Sequence, residues 1–191
     1  MRHRTGATVA AAALLWSVLA ALSPAQAVPA GDQPGDWRAA LTEVTVPVRE
    51  AGDLMGVAYP VSPDHRVRCR IEADYRSCTW EYAILPYTYP FVGGLVTSAA
   101  RFTDADAVRA FIEDARSEAG SWTVASRPDS FTLIDPQGKE GDTHIAIRHV
   151  RRGSLVLTAA CLGMTPRTED TADCTRTLTD RMLEKWRAAR P

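Results

Sequence analysis

Four cysteines limit this chain's fold more than any other feature, because they fall into two close pairs. Cys69 and Cys78 lie on either side of the dipeptide Ala73-Asp74, within two β-like runs, Arg66 to Ile71 and Arg76 to Leu85. If that dipeptide is a hairpin turn, the two sulfurs face each other across the strands. Cys161 ends an apolar run and Cys174 opens a helical one, so a second local bridge would tie that helix to a sheet. Four cysteines permit three connectivities. The expectation is local pairing, Cys69–Cys78 and Cys161–Cys174, each bridge contributing about 3 kcal/mol by restricting the unfolded chain. A metal is not expected, since neither a C-x-x-C nor a close Cys/His cluster is present, and no cofactor is implied.

Stable disulfides require an oxidising compartment, and the N-terminus fits that requirement. Arg2, His3 and Arg4 precede an apolar run from Val9 to Leu22 and the small-x-small triplet Ala25-Gln26-Ala27. This is the layout of a secretory signal peptide over residues 1–27. The run falls short of the roughly 20 apolar residues a membrane span needs, and no cysteine adjoins the cleavage point. Residues 28–36 (VPAGDQPGD) read as a flexible leader, and 37–191 as one domain. The expected product is secreted, without a membrane anchor after cleavage. With 22 basic and 23 acidic residues the chain lacks the basic excess of a nucleic-acid binder. Its basic residues are 20 Arg and only two Lys, and Asn is absent, a bias that points to a high-GC bacterial genome.

Periodicity supplies the elements. Asp36 can cap a short helix with Trp37, Ala40, Leu41 and Val44 on one face, and Val48 to Gly56 carries a second helical pattern. A third strand is expected at Gly94 to Phe102. Thr103 with Asp106 resembles a capping box, opening a helix whose apolar stripe is Val108, Phe111, Ile112, Ala115 and Ala119, stopped by Gly120. Strands are expected at Trp122 to Ser126, Phe131 to Asp135, Thr143 to Val150 and Ser154 to Leu162, with Arg152-Gly153 as turn chemistry. Thr171 is placed as the cap of a final helix with the stripe Cys174, Leu178, Met182, Trp186 and Ala189. The class is α+β: an antiparallel sheet with helices packed on one face, and two disulfides.

No motif names a reaction. H-E-x-x-H, G-x-S-x-G, the phosphate-binding P-loop and S-x-x-K are all missing from the sequence. His144 and His149, five apart on a strand, fall on opposite faces, and surface histidines are expected. Two candidate ligand contacts remain. Tyr87, Tyr89 and Phe91 share one face of LPYTYPFVGG, where they either grip a ligand or pack beneath the loop as satellite core. Arg66, Arg68 and Arg70 alternate along a strand opposite Val67, Cys69 and Ile71. They form either a row of guanidinium groups for phosphate or carboxylate or the solvated side of an edge hairpin.

The order of segments resembles a known family. Leu41 to Gly56 has the form L-x-x-x-x-x-P followed by D-L-M-G, and Ala99 to Phe111 reads A-A-R-F-x-D-x-D-A-x-x-A-F. Trp122, the run G-D-T-H-I-A-I-R-H at Gly141 to His149 and the turn R-G-S-L-V-L-T follow. From Leu41 to Trp186 this layout is similar to secreted and lipid-anchored sensor-like domains of actinobacteria, including the extracellular domain of a mycobacterial-type Ser/Thr kinase. Such domains often carry a lipidated cysteine or a transmembrane helix, and this sequence shows neither. The resemblance implies binding of a ligand or partner and brings no active-site residues. The function expected is a secreted, non-catalytic binding module for a small molecule, a cell-wall fragment or a protein. The alternatives are a secreted hydrolase with dispersed catalytic residues and a secreted enzyme inhibitor.

Overall fold

The computed structural model describes residues 37–55, 67–83, 94–120, 122–134, 144–163 and 168–189. The expected signal peptide and leader lie outside them. Two short helices, α1 (Trp37–Val44) and α2 (Val48–Met55), precede three strands, β1 (Val67–Ile71), β2 (Tyr75–Ala83) and β3 (Gly94–Phe102). Helix α3 (Ala105–Glu118) follows, then β4 (Thr123–Arg127), β5 (Ser130–Ile134), β6 (His144–Arg152), β7 (Leu155–Gly163) and α4 (Thr168–Ala188). All seven strands form one sheet in the order β1-β2-β3-β7-β6-β5-β4, and every neighbouring pair is antiparallel. The α+β class with two disulfides is thus as expected.

Strand alternation divides the buried side chains between two faces. On the first face Leu95 and Ala99 of β3, Leu157, Ala159 and Cys161 of β7 and Val150 of β6 pack against Leu41 and Val44 of α1 and Leu178 and Met182 of α4. Both bridges lie on this face. Cys69 and Cys78 are direct partners in the β1–β2 register, and Cys161 of β7 is bonded to Cys174 of α4. Polar contacts seal the margins. The buried Thr97 hydroxyl donates to the Val46 carbonyl at 2.9 Å, and Lys185 Nζ donates to the Thr45 carbonyl at 2.7 Å and to Glu50 at 3.0 Å. Arg181 donates to the other oxygen of Glu50.

The second face is covered by α3. Val108, Ile112, Ala115 and Ala119 lie over Phe102 of β3, Val156 and Ala160 of β7, Phe131 and Leu133 of β5, and Ile145 and Ile147 of β6. Three helices therefore share one face as expected, and α3 occupies the other. Its own sequence explains why: the crossover from β3 to β4 spans half the sheet, and its apolar stripe meets the strand positions that the first face leaves unused. The helix is capped by Asp104, not Thr103. The Asp104 carboxylate accepts from the backbone N–H groups of Asp106 and Ala107 at 2.9 and 2.8 Å, and these bonds hold its carboxyl below the usual range.

Three further expectations are corrected. Helix α4 begins at Thr168, so Thr171 is a buried helical residue and not the cap. Ala189 lies just past the helix end and is exposed. Ile71 at the end of the β1 edge strand is 47 % exposed, although Val67 and Cys69 on the same face pack against the core. Gly153 in the β6–β7 turn has φ 63°, the left-handed region where a side chain is strained, as the Arg152-Gly153 turn reading requires.

Candidate functional site

The chemistry on the second face starts from one misplaced expectation. His149 is not a surface histidine: it is 2 % exposed, on the face of β6 that α3 covers. Direct strand partners surround it. Phe131 pairs with it across β5–β6 and Thr158 across β6–β7. The Phe131 ring stacks on the imidazole with centroids 4.6 Å apart, and Phe111 of α3 meets it edge-on at 5.4 Å. Nδ1 shares a hydrogen bond of 2.9 Å with the Thr158 hydroxyl, whereas Nε2 is buried with no hydrogen-bond partner among the described residues. Burial pushes the imidazole down to about 3, so it is neutral at physiological pH.

His149 is one link in a row of rings beneath α3. Tyr75 contacts Phe102 at 5.2 Å, and Phe102 contacts Phe111 at 5.2 Å; His149 and Phe131 continue the row. Burial, reinforced by Glu72 and opposed by Arg70, pushes the Tyr75 hydroxyl up to about 12. At the far end the Arg116 guanidinium lies over the Phe131 ring, 5.0 Å from its centre.

A cleft of about 200 Å³ opens above Phe131 and His149. Helix α3 contributes Arg109, Ile112, Glu113 and Arg116 to its wall, and the β4–β5 turn contributes Arg127 to Ser130. Arg151 of β6 and Val156 of β7 complete it. The turn is held to the end of β6. The Arg151 N–H donates to the Asp129 carbonyl at 2.7 Å, and the Asp129 carboxylate pairs with Arg152. Asp106 pairs with Arg109 at 2.6 Å. Among the described residues neither Arg116 nor Arg151 has a carboxylate within ion-pair distance. Arg116 reaches the Ser126 hydroxyl at 3.4 Å and Arg151 Nε reaches the Gly153 carbonyl at 3.2 Å. By strand alternation Arg127 points to the opposite face, where its charge bears on Arg148.

Of the ligand contacts singled out from sequence, the two that are described lie away from this cleft. Arg68 and Arg70 are exposed on β1, an edge strand with four others between it and β5. Arg66, Tyr87, Tyr89 and Phe91 lie outside the described residues. Sequence reasoning missed this site because its walls come from four separate stretches of chain. The signal that could have pointed to it was Arg109, Glu113 and Arg116, three charges at helical spacing beside the apolar stripe of α3.

No family model matches the sequence, and no curated protein matches it. The fold is similar to the extracellular domain of PknH from Mycobacterium tuberculosis, with a TM-score of 0.53 and 17 % identity, over 81 % of this chain and 100 % of that one. The resemblance in layout to the extracellular domain of a mycobacterial-type kinase is therefore seen in the folded structure as well. At this identity the likeness is one of fold.

Proposed function

We propose that this chain is an exported, non-catalytic binding module of sensor-domain type, and that the cleft between α3 and the β4–β5 turn receives its ligand. The cleft carries the reading: buried neutral groups beneath a rim of arginines form a place to hold a molecule. His149 is kept neutral with a depressed pKa, which makes it a weak base at physiological pH. Export is supported by the signal-peptide layout of residues 1–27, by two disulfides and by the likeness in fold to a domain described as extracellular. No helix among the described residues is long and apolar enough to cross a membrane. An actinobacterial source agrees with the Arg-rich, Asn-free composition.

The test is a titration of the ¹⁵N-labelled chain from Val28 with a mixed set of anionic, neutral and cationic small molecules. The expected result is saturable shifts confined to residues 109–116, 126–131 and 149–156, with the added compounds recovered unchanged. Hydrolysis of an ester, glycoside or peptide by the purified chain, lost on substituting a cleft residue, would overturn the reading.

A further inference from the structure

Resting on that reading of the cleft, we propose that its ligand is a small organic anion, with a carboxylate or phosphate held by Arg116 and Arg151 and an apolar body set against the floor.

Charge pairing is the first argument. Around the cleft Asp106 and Asp129 are already engaged, by Arg109 and Arg152, and Glu113 on the α3 wall is the one lining carboxylate in no ion pair among the described residues, one negative charge against two open guanidinium groups. Arg116 and Arg151 are left as two guanidinium groups on one cavity without carboxylate partners among the described residues. The whole chain carries a formal charge of −1, so this local excess of positive charge is not a by-product of a basic composition. Like charges facing a shared space repel, and an oxyanion between them removes that repulsion.

Orientation is the second. Each guanidinium has five N–H donors in a planar fork. Arg116 lies over Phe131 and spends one contact on Ser126; Arg151 spends Nε on Gly153. Both are steadied by neighbours, and most of their donors have no acceptor among the described residues. An arginine held by ring stacking loses less freedom on gripping an anion than a free one, and its fork suits a carboxylate or phosphate edge.

The floor supplies the third. Ile112 is half-buried there, and the buried Val156 and neutral His149 beneath it bring no opposing charge, so the floor accepts a ring or short alkyl group and favours it over a bare inorganic ion. At about 200 Å³ the cleft lies below the roughly 300–1,000 Å³ of pockets for drug-sized ligands. The ligand is correspondingly small.

The experiment is calorimetry on the chain from Val28 with four probes: phenyl phosphate, benzylamine, benzyl alcohol and inorganic phosphate. The expected result is binding of phenyl phosphate that weakens with added salt. Arg116→Ala or Arg151→Ala should each weaken it at least tenfold, with Arg116→Lys intermediate. Arg68→Ala, the same charge change on β1, should leave it unchanged. Benzylamine or benzyl alcohol binding in the cleft as tightly as phenyl phosphate would overturn the anion assignment and leave the cleft as a ligand site. Inorganic phosphate binding equally well would overturn the apolar half of the proposal. Absence of binding by every probe would overturn both this inference and the reading it rests on. Melting curves of the variants confirm that they are folded, since all three positions lie outside the buried core.

Discussion

The two faces of one sheet are closed in different ways. The first is covered by α1, α2 and α4, and a disulfide from Cys161 to Cys174 fastens α4 to the central strand β7. Among the described residues the second is covered by α3 alone, held by side-chain packing, with a histidine and a row of aromatic rings beneath it. The first face reads as the part that holds the fold together. The second tolerates a cleft and a buried imidazole with an unpartnered nitrogen. Polar groups cost most where nothing compensates them, so a protein can place them only where stability is supplied elsewhere.

Breaking the fastening of the first face should have the largest effect. Cys161→Ser with Cys174→Ser should lower stability by about 3 kcal/mol, read by urea unfolding. A loss below about 1 kcal/mol would mean that packing alone holds α4 and that the two faces are not so unlike. Acid should probe the second face next. His149 is held near 3 when folded and returns to about 6.5 when unfolded. The unfolded chain therefore binds a proton first, and the stability due to its neutral burial is complete above about pH 6.5 and lost as pH falls towards 3. The slope is about 1.4 kcal/mol per pH unit, or roughly 2 kcal/mol by pH 5. His149→Gln should flatten that slope. An unchanged slope would place the proton uptake on another group.

Smaller effects sharpen the contrast. Asp104→Ala should cost about 1 kcal/mol by removing the cap of α3, and amide exchange should rise at 106 and 107 with little change in α4. On the first face the sign is set by Glu50. Burial pushes its carboxyl up, but the hydrogen bonds and charges of Arg181 and Lys185 outweigh burial and leave it below the usual Glu range. Its contribution is present at neutral pH and lost only as pH falls below about 4.5. Glu50→Gln should cost no more than about 1 kcal/mol at pH 7, measured by thermal melting. The second face thus begins to lose stability at a higher pH than the first, and below about pH 4.5 both losses run together.

The cysteine pairing was legible because a turn fixes register, and register places Cys69 opposite Cys78. The apolar stripe of α3 was legible because helical spacing is local. The sheet face it would cover was not, because alternation in β6 names two faces without saying what lies over either. His149 was misjudged for that reason. Thr103 and Asp104 are both competent caps one residue apart, and only backbone geometry chooses between them. The cleft was not legible as a whole because Arg116, Phe131 and the His149–Arg151 pair come from separate stretches of chain that no spacing rule joins.

The strand order has a consequence for how the chain assembles. β1 to β3 and β4 to β7 are each a run of sequential antiparallel neighbours, and the β3–β7 pairing alone joins the two runs within the sheet. That junction joins Gly94 to Leu162 and Arg101 to Leu155, at separations of more than fifty residues. Hairpins close short loops at low entropic cost, whereas this seam must close a long one. The late event in folding is then the zipping of β3 onto β7, and it completes both faces together, since α3 lies in the segment being closed and α4 follows directly from β7.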